Sequence, residues 1–244
     1  MKLWLRSSLI LKRLIMAEVD TFMAGQSLLS RVCYKLFRGL VVFVCTSYTR
    51  TTIIGKENIP KSGAFLLAPI HRSNIDTPLA AAVTTRRMRF MGKDTIWKYG
   101  PIGWIVSALG AFPVSRGTAD REALRRCVAV LEAGEPLVLF PEGTRQSGPL
   151  VQPLFDGATY VAAKAGVPII PVGIGGSERV MPKGSKMIYP RKCVVVIGTP
   201  IQTVVNGAER LPRSALKELS GNLSTELQRL FDEAQRLAGC PNNY

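Results

Sequence analysis

The spacing of apolar and polar positions changes near residue 50 of the chain. Before that point, two segments carry apolar residues at helical spacing together with aligned basic residues. After it, short apolar runs alternate with amphipathic helical segments, which is the succession typical of an α/β fold. The sequence therefore predicts amphipathic, membrane-interfacial helices in residues 1–50. It predicts an α/β domain in residues 51–244, with a mixed sheet flanked by helices.

The alternating region predicts the individual elements of this domain. Strands are expected at residues 51–55, 64–68, 89–91, 111–114, 137–140, 167–174 and 194–197. Helices are expected at residues 77–84, 102–109, 119–133, 156–165 and 216–237, with Gly134 and Gly166 ending two of them. The prolines of the segment V-P-I-I-P-V at residues 167–172 favour an edge or irregular strand, because proline cannot donate to a sheet.

The two N-terminal segments combine basic stripes with apolar bulk. On a helical wheel the basic residues of each align, namely Lys2, Arg6 and Arg13 in the first and Arg31, Lys35 and Arg38 in the second. Such helices lie in a bilayer interface, unless they simply cap the domain and bury their apolar face against it. The longest stretch without charged side chains, residues 99–115, is interrupted by glycine and proline. No conventional membrane span is therefore predicted.

Composition narrows the possible partners. The 244 residues are 47% hydrophobic and 20% charged, which excludes a mostly disordered chain. A net charge of +15 is compatible with nucleic acid, an anionic membrane or phosphorylated substrates. No nucleic-acid-binding motif accompanies the charge, so we expect an anionic membrane surface and no nucleic acid. The five cysteines are far apart and predict neither a disulfide framework nor a metal site.

Candidate chemistry begins in the segment Ile70–Asp76. His71 is the only histidine of the chain, and it ends a predicted strand just before a predicted helix. A continuous helix would place Asp76 about 140° away around the axis, so the two side chains would not meet. With His71 in a loop and Asp76 in the first helical turn, they can form a dyad. The carboxylate would then hold one ring nitrogen and leave the other as a general base. The alternative is a structural histidine.

Two further segments place charged residues after predicted strands. Residues 140–145 read F-P-E-G-T-R, in which Glu142 and Arg145 form either an anion-recognition corner or an ordinary turn with a salt bridge. Residues 110–116 form a predicted strand that ends in Arg116. Either segment alone is compatible with a purely structural role.

Together with residues 167–172, these segments resemble, in their order, the glycerophospholipid acyltransferase family, in particular bacterial 1-acyl-glycerol-3-phosphate acyltransferases. The His-x4-Asp block of the family matches residues 71–76, and its F-P-E-G-T-R block matches residues 140–145. The resemblance covers roughly residues 50–200. One departure is Ile70, where the family usually has asparagine.

The resemblance implies a reaction. An acyl group would pass from acyl-CoA or an acyl carrier protein thioester to the free hydroxyl of 1-acyl-sn-glycerol-3-phosphate, giving phosphatidic acid with no bound cofactor. His71, oriented by Asp76, would be the general base. Glycerol-3-phosphate or another lysophospholipid is an alternative acceptor, and a non-catalytic membrane-binding role is an alternative of a different class. The implied location is the cytoplasmic face of the cell membrane, as a peripheral or monotopic protein.

The resemblance also implies the residues that hold the acceptor. Those expected at the acceptor and its phosphate are Lys93, Arg116, Glu142, Gly143, Thr144 and Arg145. Glu142 would orient Arg145 or an acceptor hydroxyl, and backbone N–H groups near Gly143 would stabilise the oxyanion. No metal ligand is expected.

Overall fold

The computed structural model describes residues 28–93, 95, 98, 106–107, 109–114, 121–185, 187–203 and 212–243. Its helices are α1 (Leu28–Tyr48), α2 (Asp76–Ala81), α3 (Arg121–Glu132), α4 (Gly157–Ala165), α5 (Ser177–Val180) and α6 (Arg213–Leu237), with a 3-10 turn at Lys56–Asn58. Its strands are β1 (Thr52–Ile54), β2 (Leu66–Pro69), β3 (Arg89–Lys93), β4 (Ala111–Val114), β5 (Leu137–Val138), β6 (Ile169–Gly175) and β7 (Val194–Ile197).

The described strands form one mixed sheet in the order β1-β7-β6-β2-β5-β3-β4. The five strands from β6 to β4 in this order run parallel, whereas β7 is antiparallel to β6 and parallel to β1. This confirms the predicted mixed sheet. Because parallel strands end at the same edge, the loops after β2, β3, β4, β5 and β6 all leave the sheet on one side.

Local patterns predicted most of these elements within a few residues. The apolar runs around residues 64–68 and 167–174 become β2 and β6, whose side chains are all buried. Helix α2 begins at Asp76 and ends sooner than predicted, whereas the four-residue α5 was not predicted. The predicted helix at residues 102–109 and the first N-terminal segment lie largely or wholly outside the described residues.

Of the two alternatives for residues 167–172, the edge strand is wrong because β6 lies between β7 and β2, whereas the irregular strand is confirmed. Pro171 is tolerated there because the pairing with the β7 side slips by one residue around it. Val172 is opposite Ile197, but Ile169 is opposite Ile201. Within this bulge the Pro171 carbonyl still accepts a hydrogen bond from the Gly198 N–H at 2.9 Å. An irregular step therefore accommodates the missing donor of proline in a central strand.

Helix α6 lies directly on β6 because that strand presents two glycines on one face. A Cβ on Gly173 would lie 2.3 Å from the Leu230 carbonyl group, and one on Gly175 would lie 2.2 Å from that of Ala234. The apolar side of α6 is buried against the sheet through Leu223, Leu227, Leu230, Phe231 and Ala234. The close approach fixes the position of Phe231, which reaches the loop after β2.

Helix α1 directs its apolar residues outward. The exposed large apolar side chains of this helix are Val32, Leu36, Phe37, Leu40, Phe43, Val44 and Tyr48. The predicted basic stripe is only partly correct. Lys35 is exposed, but Arg38 turns inward and donates to the carbonyls of Ala81 and Thr84 at the end of α2. Among the described helices, none is both long enough and apolar enough to cross a membrane.

Candidate active site

The loop after β2 brings the only histidine of the chain to the first residue of α2. His71 Nδ1 lies 3.1 Å from Asp76 Oδ2, which confirms the predicted meeting of a loop histidine with a helical carboxylate. The Asp76 side chain is fully buried, whereas the His71 side chain keeps 14% of its surface exposed. A carboxylate oxygen accepts this contact in the tautomer that carries the ring proton on Nδ1, and Nε2 then has the free lone pair that a general base uses.

Backbone groups of the loop between His71 and Asp76 also bind the Asp76 carboxylate. Asp76 Oδ2 also accepts the backbone N–H groups of Arg72 and Ser73, both at 2.6 Å. Charge-assisted bonds of this length hold the carboxylate and the loop in one geometry. On its other side, His71 stacks on the Phe140 ring, with centroids 4.0 Å apart and planes 23° apart. The imidazole is therefore held at its ring nitrogen and at its ring face.

A buried ion pair lies beneath the histidine, and the sequence reasoning missed it. Arg72 is 1% exposed, and its Nη1 donates to both carboxylate oxygens of Glu142 at 2.8 Å. Its Nη2 donates to the Leu150 carbonyl at 2.9 Å, and its guanidinium lies 4.9 Å from the centroid of the Phe231 ring. Arg72 therefore connects the His71 loop to the segment after β5 and to α6.

The expected role of Glu142 needs correction. Both of its oxygens are already committed, because Oε2 also accepts the His71 backbone N–H at 2.9 Å and Oε1 that of Gln152 at 3.0 Å. Its side chain is fully buried. Glu142 thus orients Arg72 and His71, and not Arg145 or an acceptor hydroxyl. No local sequence signal pairs Arg72 with Glu142, because 70 positions separate them.

The register of the sheet explains why Glu142 reaches His71. Leu67 of β2 is paired with Val138 of β5. His71 follows Leu67 by four positions, and Glu142 follows Val138 by the same number. Two parallel strands in register therefore bring the loops that follow them side by side.

The turn at residues 143–145 also differs from expectation. The Gly143 N–H donates to the Phe140 carbonyl at 3.0 Å, and the Thr144 N–H donates to the Glu142 carbonyl at 2.7 Å. The N–H groups of Gly143 and Thr144 are therefore bonded within the turn and do not serve as the expected oxyanion donors. Gly143 has φ of 69°, and a Cβ there would lie 2.8 Å from the Phe155 ring, so this turn requires glycine.

Three cations remain as candidates to bind an anion. Arg145 is half-buried, and its guanidinium has no hydrogen bond or ion pair with another residue in the described part of the chain. Lys93 ends β3 at the carboxyl edge of the sheet, paired with Val114, the last residue of β4. The Lys93 side chain and the whole of Arg116 lie outside the described residues. Within those residues, no group of His, Cys, Asp and Glu side chains could hold a metal ion.

An apolar cavity of about 200 Å³ lies between α1, α2 and the β3–β4 edge. Thr77 and Pro78, which directly follow Asp76 in α2, form part of its wall. The remaining lining is mostly apolar: Tyr34, Arg38, Val41, Val42, Ala81, Phe90, Val106, Leu109 and Ala111. The cavity therefore offers a water-poor space beside the helix that carries the dyad carboxylate.

Comparison with known proteins agrees with this arrangement. The chain is 32% identical over 171 residues to a chloroplast 1-acyl-sn-glycerol-3-phosphate acyltransferase of Brassica napus, which covers 68% of this chain and 48% of the relative. It is 26% identical over 205 residues to the 1-acyl-sn-glycerol-3-phosphate acyltransferase of Bacillus subtilis, covering 82% of this chain and 99% of that protein. The chain thus spans about half the length of the chloroplast relative and almost all of the bacterial one.

The crystal structure of PlsC from Thermotoga maritima, a 1-acyl-sn-glycerophosphate (LPA) acyltransferase, has the same fold. Its TM-score is 0.69 at 23% identity, covering 92% of this chain and 88% of that one. A family model described as Acyltransferase matches residues 50–175, more than half of the chain, and this range includes the His71–Asp76 pair and the Glu142–Arg145 segment. The chain therefore belongs to the acyltransferase family.

Proposed function

We propose that the protein transfers a fatty acyl group from an acyl thioester to the free hydroxyl of 1-acyl-sn-glycerol-3-phosphate, giving phosphatidic acid. The observation that carries this proposal is the pair formed by His71 and the buried Asp76, whose geometry suits a general base. The acceptor is chosen because 1-acyl-sn-glycerol-3-phosphate acyltransferase is the name of both relatives compared above.

The proposed step uses the histidine twice. Nε2 of His71 takes the proton of the acceptor hydroxyl as its oxygen attacks the thioester carbonyl carbon. The carbon–sulfur bond then breaks, and the departing thiolate takes the proton back from the imidazolium. Asp76 holds the ring and stabilises its charged form between these two transfers.

Direct attack, without an acyl-enzyme, is favoured by the state of Cys193. Cys193 is close enough for the charge of Asp76 to affect it. Burial, and then this negative charge, raise the pKa of its thiol to about 12. A neutral buried thiol is a poor nucleophile at physiological pH. The only histidine of the chain is meanwhile committed to Asp76.

Arg145, together with Lys93 and Arg116, is proposed to bind the acceptor phosphate. Arg145 precedes Gln146, whose backbone N–H donates to the His71 carbonyl at 2.8 Å. A guanidinium with no partner among the described residues can form two parallel hydrogen bonds with a phosphate. Glu142 contributes indirectly, by fixing Arg72 and the His71 backbone. The apolar cavity beside α2 is proposed to receive part of an acyl chain. The donor is proposed to be acyl-CoA or an acyl carrier protein thioester.

The outward apolar face of α1 supports a membrane-bound protein. A helix that directs large apolar side chains away from its domain is suited to a bilayer interface. With the net charge of +15, we propose an anionic membrane as the partner and the cytoplasmic face of the cell membrane as the location.

A purified-enzyme assay tests the reaction. Acyl-CoA is mixed with lysophosphatidate, and the released free thiol and the phosphatidic acid are both measured. We expect wild type to be active and His71→Ala to lose at least about 10²-fold of its rate, the lower end of a general-base contribution. Asn74→Ala is the matched control, because Asn74 is an exposed residue of the same loop. Among the described residues its side chain has a single hydrogen bond, to the Met181 sulfur at 3.8 Å.

The outcomes are distinguishable. A His71→Ala variant that is folded and retains full turnover contradicts the proposed base. Acylation of glycerol-3-phosphate but not of lysophosphatidate would keep the chemistry and change the acceptor. Binding of lysophosphatidate with no turnover by wild type would favour the non-catalytic alternative.

A further inference from the structure

The connection between β6 and β7 carries an exposed apolar tip. Met187, Ile188 and Tyr189 follow one another in the chain and are 63%, 52% and 42% exposed. Isolated apolar residues are common at protein surfaces, but contiguous large ones mark a surface that binds something. The exposed tip therefore indicates a binding partner other than the substrates of the active site.

Hydrogen bonds hold this loop in shape. The Tyr189 N–H donates to the Val180 carbonyl at 2.8 Å, so this bond joins the two ends of the loop segment 180–189. Within the loop, the Ser185 N–H donates to the Pro182 carbonyl at 2.9 Å, and the Met187 N–H donates to Ser185 Oγ at 3.0 Å. These bonds position Met187 and Tyr189 relative to Ser185 and Val180.

Two hydrogen bonds connect this loop to the loop that carries His71 and to the end of α1. Ser73 lies between His71 and Asp76 in the sequence, and its Oγ donates to the Met181 carbonyl at 2.9 Å. The Tyr48 hydroxyl, at the end of α1, donates to the Ile188 carbonyl at 3.0 Å. The tip therefore continues the outward apolar face of α1 and is anchored to the loop that carries His71.

The charges around the tip identify the kind of partner. Residues 181–193 contain no acidic residue, and their basic residues are Lys183, Lys186, Arg191 and Lys192. Lys183, Arg191 and Lys192 are exposed. An apolar tip surrounded by cations matches an anionic bilayer, where apolar side chains enter the acyl boundary and cations stay among the phosphates.

We propose that the loop of residues 181–192 is a bilayer-docking element. Met187, Ile188 and Tyr189 enter the interface of an anionic membrane, and the exposed side chains of Lys183 and Arg191 contact lipid phosphates. Together with α1, the loop gives the protein two points of attachment on either side of the Tyr48–Ile188 bond. This orients the His71 loop toward the membrane surface. The inference goes beyond the proposed reaction, because it holds whichever acceptor is acylated.

Vesicle binding by the full chain tests the proposal. The probes are sedimentable vesicles of phosphatidylcholine with phosphatidylglycerol, and vesicles of phosphatidylcholine alone. The variant Met187→Ser/Ile188→Ser is expected to bind the anionic vesicles at least about tenfold more weakly than wild type. The variant Lys183→Gln/Arg191→Gln is expected to lose about fivefold per removed charge on anionic vesicles only. Tyr160→Ser is the control, because Tyr160 is likewise exposed, at 40%, but lies in α4 and not in this loop.

Thermal unfolding and turnover of a monomeric, short-chain lysophosphatidate are measured on the same variants. Both are expected to match wild type, so a failure of docking is separated from a failure of the proposed reaction. The proposal is overturned if wild type does not bind anionic vesicles, or if Met187→Ser/Ile188→Ser binds them within twofold of wild type. It is also overturned if that variant only loses self-association in gel filtration, which would assign the tip to a second copy of the chain.

Discussion

Replacing Glu142 with glutamine tests whether the buried ion pair holds the catalytic histidine in place. The carboxylate accepts the backbone N–H groups of His71 and Gln152 as well as the guanidinium of Arg72. An amide offers only one acceptor oxygen, so one backbone donor would face an NH2 group. Arg72, which is 1% exposed, would also lose its counter-charge.

The expected loss of stability follows from this burial. Breaking a buried ion pair by removing one partner costs about 3–5 kcal/mol. For a chain of this size, about 2–4 °C of Tm corresponds to each kcal/mol, so Glu142→Gln is expected to lower Tm by roughly 6–20 °C. Because the backbone of His71 loses its anchor, turnover of the folded fraction is expected to fall about 10²-fold, which is typical of a small misplacement of a catalytic group.

The matched control is Glu135→Gln. Glu135 pairs with Arg89, which is also 1% exposed, but this pair lies at the amino ends of β3 and β5, opposite the edge that carries His71. Glu135→Gln is therefore expected to lower Tm while leaving the turnover of folded protein close to wild type. Thermal unfolding by circular dichroism and thiol release at a temperature below both transitions are the measurements. Wild-type turnover by folded Glu142→Gln would refute the positioning role of Glu142.

Three further variants or labels test separate features. Arg145→Ala is expected to raise the KM for a phosphorylated acceptor about 10–150-fold, because charge-assisted hydrogen bonds contribute about 1.5–3 kcal/mol. Its Tm is expected to change little. An unchanged KM contradicts phosphate binding by Arg145. Gly173→Ala is expected to lower the free energy of unfolding by about 1–3 kcal/mol or more, because its Cβ would lie 2.3 Å from the α6 backbone. Urea unfolding measures this, and wild-type stability would contradict that packing. Cys193 is expected to resist alkylation in the native protein at pH 8 but not after unfolding. Its thiol stays protonated until the pH approaches its raised pKa of about 12, so native labelling as fast as that of the unfolded chain argues against this burial.

The same shift of Cys193 has a consequence for stability at high pH. The pKa of the Cys193 thiol is about 12 in the folded protein and has an ordinary value of 9.0. Below pH 9.0 the thiol is protonated in both states, and its full contribution to stability is present. The contribution is then lost as the pH rises toward 12, since the unfolded chain ionises first.

Short-range features of this protein could be predicted from the sequence. The dyad is one of them, because five positions along one loop and helix start separate His71 from Asp76. The continuous apolar runs of β2 and β6 and the amphipathic pattern of α6 are others. In each case the chemistry of neighbouring residues determines the outcome, through the periodicity of the backbone or the reach of one side chain.

Other features depended on strand order and register, which no local pattern encodes. The pairing of Arg72 with Glu142 exists because β2 lies next to β5 with Leu67 opposite Val138. The sequence alone determined that His71 can meet a carboxylate at the start of a helix. Only the tertiary structure decided that Glu142 holds the His71 backbone and that Arg145 has no ion-pair partner among the described residues. Residues distant along the chain meet only when the sheet sets their positions.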